Sequence, residues 1–527
     1  MLNKLPSYST FFIGGLLNGL SFFSSILIPL SILGHYLLLK GLFCKDRNFN
    51  PTLSGWLFGV GFFLTSMHWI VNPFLIYEEH KILAPLVLIV FPSLMGLFFS
   101  IPTVLIKKFI NFQKIYDFFF TKILLISFFI FISEFLRSNI FGGLPFNLYG
   151  HLWIFNENFI KISSFIGVFG LSFLTILWII TIVLCLIKKT SNFIYPLTLF
   201  PLFLIFFSIF PLKEEQLESK TVSIRVVQPN IPQNKKWDRT LFQEHLDKLL
   251  ILSNKDRKEE LLVIWPEAAI TDFLNENEDL IAYIKQKINE NTVIITGGLR
   301  REFYGSNFKV FNSFYIINKN DISFYDKKKL VPFGEFIPLR SLFNILKLTP
   351  GKTDFSKGDK DEDLFLELEQ EKIYLEPSIC YEAIFQTFNN KKIELLINIT
   401  NDAWFGNFIG PKQHLTASIF RSVEKGIPLI RSANSGISVV TDENGKILKK
   451  IGLNKSGFIE QNLNLIKNET FFMKNIRYFY FASSIKPLIY FHFWIVFNTF
   501  VVNFNFFVIF IIIKFNDFFI TSKQNSS

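Results

Sequence analysis

"YLEPSICYEAIF", Tyr374–Phe385, carries Cys380, one of only three cysteines in the chain, between Glu376 and Glu382. The other two, Cys44 and Cys185, lie far away in very apolar surroundings. A lone cysteine in such a stretch is ordinarily a small buried hydrophobe in a core strand. Two flanking glutamates in a chain this sparing with thiols set a second reading against it, and the surrounding sequence has to choose.

From Thr221 onward the chain is built of short β-branched runs that end in turns or polar clusters. "VSIRVVQPN", "LLVIWPEAA", "TVIITGGL", "NSFYIIN", "ELLINIT" and "SGISVVTDENG" read as buried strands. "LFQEHLDKLLILSN" and "DLIAYIKQKINE" between them read as helices. Alternating strand and helix predicts a layered α/β domain.

Two further strands run into reactive side chains. "LLVIWPEAAI" leads straight into Trp265, Pro266 and Glu267. A carboxylate at the mouth of a buried strand is either a structural hydrogen-bond acceptor or a proton carrier. "YDKKKLVPFGEFIPLR" holds Lys327, Lys328 and Lys329, then Glu335. A lysine run is ordinarily a solvated face, but Phe333 and Ile337 in the turn behind it call for burial. Glutamate, lysine and cysteine form a coherent chemical set: a base for the thiol, and an ammonium for negative charge on sulfur or on a developing oxyanion. The sequence leaves open whether the three meet.

The first 213 residues are different in kind. Long uncharged runs such as "SGWLFGVGFFLTSMHWIVNPFLIY" lack the polar face of a soluble core helix and approach the ~20 residues a bilayer crossing needs. Seven spans are predicted at roughly 9–26, 27–43, 54–76, 82–106, 118–136, 163–187 and 193–212, and an eighth at about 488–513. With the amino terminus in the cytoplasm, ten lysines and arginines flank the spans inside and three outside, as the positive-inside rule requires. Residues 214–475 then form a domain outside the cytoplasm, and 476–527 return the chain to it. The first span reads as a retained anchor, with no cleavage site behind it.

A formal charge of +11 raises the possibility of nucleic acid, but the basic residues flank spans or scatter, and no basic stripe with interleaved aromatics appears. The partner implied is an anionic membrane surface, not nucleic acid. The cysteine spacing gives neither a disulfide framework nor a metal site, and no cofactor is expected.

The outer domain resembles the nitrilase superfamily, through "WPE" at 265–267, "KKKLVPFGE" at 327–335 and "CYE" at 380–382. Joined to its spans, the chain is similar to the apolipoprotein N-acyltransferase family. "NIPQNKKWD" at 230–238, "ITNDAWFG" at 399–406, "QHLTASIFRSVE" at 413–424, "RSANSGIS" at 431–438 and "SEFLRSNIFGGLPFNLYGH" at 133–151 add to the match. Ala268 and Thr271 depart from it, standing where a hydroxyl residue and a proline are common.

The resemblance implies a polytopic helical membrane domain joined to a nitrilase-like αββα sandwich, in the inner membrane of a bacterium with the sandwich on the periplasmic side. It implies Glu267 as general base, Lys327 as oxyanion stabiliser and Cys380 as nucleophile. Glu335 supports the lysine, Tyr381 and Glu382 follow the nucleophile, and Trp237 is a substrate contact. His414 is read as structural. The implied reaction moves an acyl chain from a phospholipid, phosphatidylethanolamine by expectation, to the α-amine of a diacylglyceryl apolipoprotein. A membrane-anchored amidase shares the triad and stays open as an alternative. A transporter with an outer sensing domain fits less well, because the spans contain few ionisable residues.

Overall fold

In the computed structural model the leading apolar runs are helical: α1 (Tyr8–Leu20), α2 (Ile28–Leu42), α3 (Pro51–Ser66), α4 (Ala84–Ile110), α5 (Phe119–Asn139), α6 (Ser163–Ile187) and α7 (Ile194–Ile209). The structure describes residues 7–110, 119–189, 194–209, 220–255, 262–289, 292–319, 321–338, 353–359, 363–368, 371–387, 393–465 and 469–475. The predicted eighth span and most of the apolar stretch 336–348 lie outside the described residues.

A helix occupies each of the seven predicted stretches. Among the described residues, Ser25–Leu42, Glu78–Phe109, Phe119–Gly142 and Ser163–Ile187 are each long and apolar enough to cross a membrane. Pro51–Ser66 and His68–Leu75 reach that length together, bent by 70° at the break. The break has a local cause. The Ser66 carbonyl accepts side-chain N–H groups from Asn147 at 3.1 Å and Gln413 at 2.9 Å, which cap the helix end.

Small residues let these helices approach closely. A Cβ on Gly15 would lie 1.9 Å from the Phe58 carbonyl oxygen, and one on Gly59 would lie 2.6 Å from Gly96 Cα. In a bundle without a hydrophobic drive between helices, such backbone approach is what gains dispersion contact.

The later region is a sandwich of two six-stranded sheets. One has the order β12-β1-β2-β3-β4-β5, from strands Gly457–Leu465, Lys220–Gln228, Leu262–Ile264, Ile294–Tyr304, Asn307–Ile317 and Ile322–Asp326. The other has the order β11-β10-β9-β8-β7-β6, from Ile447–Ile451, Ser438–Thr441, Leu429–Ala433, Leu395–Thr400, Glu371–Ile379 and Leu364–Leu368. The central strands of each sheet pair in parallel: β1 with β2 and β2 with β3, and β7 with β8 and β8 with β9. Such strands are covered on both faces, hence the apolar run "LLVI" and the largely apolar "LLINIT", whose Asn398 and Thr400 are paired with Arg431 and Asp402.

Val226, Ile264, Phe314 and Ile316 of one sheet meet Leu375, Ile379, Ile397 and Ile430 of the other in the central core. Helices α8 (Phe242–Asn254) and α9 (Glu278–Ile288) cover the outer face of the first sheet through Leu246, Leu249, Ile281 and Ile284. The two helices predicted in this domain are these.

Helix α10 (Gly410–Lys425) is buried almost all round although its sequence is not apolar. It tolerates this because its polar groups are paired. Gln413 accepts from Trp69 Nε1 at 2.7 Å, Glu424 accepts from the Val168 main-chain N–H at 2.7 Å, and Arg421 pairs with Glu424 at 3.1 Å. Lys425 pairs with Glu376. Helix α10 therefore joins the sandwich to α3 and α6.

Candidate active site

β2 ends at Ile264, and the chain then turns sharply through Trp265–Pro266–Glu267. The turn is held by the Pro266 carbonyl, which accepts from Gly297 N and Ala269 N, both at 3.2 Å. Ala268 sits in the left-handed region at φ +45°, where a non-glycine residue is strained. β3 passes so close that a Cβ on Gly297 would lie 2.4 Å from Ala268 N. Glycine is required there.

Lys327 follows directly on β5, its N–H bonded to the Asn312 carbonyl at 2.9 Å. The side chain is 1% exposed. Nζ stands 3.2 Å from Glu267 Oε1 and 2.9 Å from Glu335 Oε1. Asn312 Nδ2 donates to the same two oxygens, at 2.9 and 3.0 Å. Glu335 Oε2 accepts from Val331 N at 2.9 Å, which fixes the turn that brings it back. Two carboxylates so close would repel; the ammonium and the amide between them make the arrangement stable.

Cys380 follows directly on β7 and is 4% exposed, with φ +48°. Glu382 anchors this turn. Its Oε2 accepts from Ile379 N at 2.9 Å, and its Oε1 accepts from Lys328 N at 2.7 Å, Lys329 N at 3.1 Å and Tyr325 Oη at 2.9 Å. One carboxylate thus clasps the cysteine turn to the lysine turn. Tyr381 points the other way and donates to the Gly143 carbonyl at 2.9 Å, in the loop between α5 and α6. Beside that contact Phe141 is 93% exposed, at φ +56°.

The electrostatics follow from burial and these neighbours. Burial pushes the Cys380 thiol above its ordinary value and Glu267 adds to this, against Lys327 and a hydrogen bond with Thr400. Burial acts to raise the Glu267 carboxyl, but Lys327, Asn312 and Lys236 overcome it and hold the group below its ordinary value. Burial acts to lower Lys327, and Glu267, Glu335 and Cys380 outweigh it, raising the ammonium above its ordinary value. Burial raises Glu382, against its N–H donors. The resting site is therefore carboxylate, ammonium and neutral thiol.

The structure gathers Glu267, Lys327, Glu335 and Cys380 into one electrostatic cluster, with Glu382 linking two of the turns. Trp237 is half-buried, and its indole N–H has no hydrogen-bond partner among the described residues. Sequence reasoning missed Asn312, although a lone amide inside the apolar strand "FNSFYII" was a usable signal. It also missed Lys236, which is 2% exposed and donates from Nζ to the Glu267 main-chain oxygen at 2.9 Å. His414, read as structural, has a definite task. Its Nε2 donates to the Cys380 carbonyl at 3.0 Å, while Nδ1 lies 2.8 Å from Asp402 Oδ1. Arg431 binds both Asp402 oxygens at 2.8 Å.

A buried glutamate, lysine and cysteine at strand ends of an αββα sandwich define a carbon–nitrogen hydrolase fold, here carried on a bundle of apolar helices. Residues 223–467 match the carbon-nitrogen hydrolase family model, and residues 14–181 match that of the apolipoprotein N-acyltransferase N-terminal domain. Apolipoprotein N-acyltransferase of Rickettsia prowazekii (strain Madrid E) is 33% identical over 462 residues, covering 85% of this chain and 90% of the relative. That of Rhodopseudomonas palustris is 30% identical over 437 residues, covering 78% of this chain and 80% of the relative. A solved CN-hydrolase superfamily protein, XC1258 from Xanthomonas campestris, matches 46% of this chain and 90% of its own at 18% identity, with a TM-score of 0.33. The chain belongs to the apolipoprotein N-acyltransferase family. It is a membrane enzyme of lipoprotein N-acylation, acting on lipid or lipoprotein substrates.

Proposed function

We propose that the enzyme works by a two-stage exchange through a thioester on Cys380, taking the acyl chain from a phospholipid such as phosphatidylethanolamine. The acceptor is the α-amine of a diacylglyceryl-cysteinyl apolipoprotein. The observation that carries this reading is the buried Glu267–Lys327–Glu335 cluster with Cys380 in electrostatic reach of its members. The seven spans that the sequence predicts before the sandwich and the eighth it predicts after it would set the catalytic domain on the periplasmic side of the inner membrane. The ten-to-three charge asymmetry supports that orientation.

In the first stage Glu267 takes the Cys380 proton as sulfur attacks the ester carbonyl. Because the thiol is held well up and the carboxylate down, transfer completes only as the new C–S bond forms. The oxyanion develops beside Lys327, which Glu335 holds in place. Collapse breaks the ester C–O bond, and protonated Glu267 returns its proton to the departing lysophospholipid oxygen. In the second stage the neutral α-amine attacks the thioester and loses a proton to Glu267. The C–S bond breaks, and the sulfur recovers that proton. A thioester is a better acceptor for an amine than an oxygen ester, which is why the step is divided. The Trp237 N–H is held for a substrate oxygen.

The test is a trapped half-reaction. Full-length enzyme given phospholipid without acceptor should gain one fatty acyl mass on Cys380 by peptide mass spectrometry. A diacylglyceryl-cysteinyl peptide should discharge it, and the same peptide with a blocked α-amine should not. The amidase alternative expects water to discharge the adduct at the same rate with or without the peptide.

A further inference from the structure

The loop Asn230–Asp238 is fastened into the sandwich from the opposite sheet. Asn434 Oδ1 accepts from Ile231 N at 3.0 Å, Asn434 Nδ2 donates to the Ile231 carbonyl at 2.8 Å, and Asn401 Nδ2 donates to Gln233 Oε1 at 2.6 Å. This fixes where Lys236 enters. Its neighbour Lys235 is exposed, whereas Lys236 is buried and places its ammonium 2.9 Å from the Glu267 main-chain oxygen. A buried ammonium is stable only beside negative charge or several acceptors. One carbonyl alone is a poor site for it. The charge it answers is that of the cluster: Glu267 and Glu335 share a single ammonium, Lys327, and the reaction adds an oxyanion to the same buried volume.

We propose that Lys236 is a positioning residue for acyl transfer: it pins the left-handed turn that aims Glu267 and supplies the second positive charge that the two buried carboxylates and the coming oxyanion require. The inference rests on the Glu267–Lys327–Cys380 reading above and adds a member to it. The groups facing Lys236 are Glu267 from the turn after β2, Cys380 from the end of β7, and His245 from α8. Burial lowers the Lys236 ammonium to about 8, against the pull of Glu267 and Cys380. As pH rises through that value the ammonium is lost, and the thiol proton must then leave in a more negative site.

The experiment measures Cys380 acylation by mass spectrometry across pH, with full-length enzyme in vesicles of phosphatidylethanolamine and phosphatidylglycerol. Wild type should lose rate as pH rises through about 8, against the ordinary trend for a thiol, whose thiolate fraction grows. Lys236→Met keeps the length of the side chain and removes its charge. It should acylate about 10- to 100-fold more slowly at neutral pH and lack the alkaline fall. Lys236→Arg keeps the charge at every accessible pH, so it should retain much of the rate while its profile no longer falls near pH 8.

A Lys236→Met enzyme with the wild-type rate and the wild-type alkaline fall overturns the proposal. If Lys236→Met does not fold, Lys236→Arg decides, since an unchanged fall near pH 8 in that variant overturns it equally. If wild-type Cys380 gains no acyl group at all, the triad reading fails and this inference falls with it. If Cys380 is acylated and only the Lys236 outcomes fail, the triad reading survives.

Discussion

The ring of His414 lies with Nε2 3.0 Å from the main-chain oxygen of Cys380, so a residue of α10 holds the proposed nucleophile by its backbone. Behind it Asp402 and Arg431 are completely buried and paired. Cys380 at φ +48° has no glycine-like freedom, and such a conformation persists only when its surroundings fix it. His414→Phe keeps a flat ring and removes the donor. It should lower stability by about 1–3 kcal/mol through the unpaired carbonyl, and should slow acylation by about tenfold. His414→Gln, whose amide can donate, should recover part of both. Thermal unfolding and the rate of adduct formation read the two effects; a Phe variant that acylates at the wild-type rate removes His414 from the site.

Glu267→Gln should move two measurements in opposite directions. The carboxylate raises the Cys380 thiol, so the neutral amide should bring the thiol down toward its ordinary value. The pH midpoint for alkylation by iodoacetamide should therefore shift to lower pH. Acylation by phospholipid should nevertheless fall by about 10²–10⁴, because the base is gone. If the midpoint rises instead, Glu267 does not act electrostatically on Cys380.

The proposed mechanism gives the lysine run one catalytic member, Lys327, and asks nothing of the side chains of Lys328 and Lys329. Lys327→Ala should lose about 10²–10³ in acylation rate, the scale of removing an oxyanion donor. Lys329 is exposed, its ammonium 5.2 Å from the centre of the Phe385 ring. Lys329→Ala should change the rate by no more than about threefold, the scale of an exposed cation–π contact. Comparable losses at both positions would show that the oxyanion lysine is misassigned.

Gln413 joins the bundle to the sandwich: it accepts from Trp69 Nε1 and donates to the Ser66 carbonyl at the broken end of α3. Gln413→Leu should leave a buried indole N–H without its acceptor, costing about 1–3 kcal/mol in thermal or denaturant unfolding. Trp69→Phe removes the stranded donor, so the double variant should be less destabilised than the two single losses added together. Strict additivity would mean that the two residues do not interact.

Much of the organisation is periodic or local, and the sequence shows it directly. Long uncharged runs read as helices in an apolar environment, and short runs such as "LLINIT" bounded by polar clusters read as strands covered on both faces. The ends of three strands carried Glu267, Lys327 and Cys380 into view. Glu335, eight residues beyond Lys327, came into view as a site residue only through the family resemblance, and the fold returns it to the same ammonium. What each strand end faces was not legible, because strand order is a non-local choice. Asn312 reaches both carboxylates only because β4 lies between β3 and β5. Lys236 reaches Glu267 only because Asn401 and Asn434 of the other sheet fasten its loop. The sequence of α10 reads as an ordinary polar helix, yet its polar groups are buried against partners more than 200 residues away, including Trp69 and Val168. The residue types follow from local chemistry; which of them become a site follows from packing, where a buried charge is tolerated only beside the partner that the fold supplies.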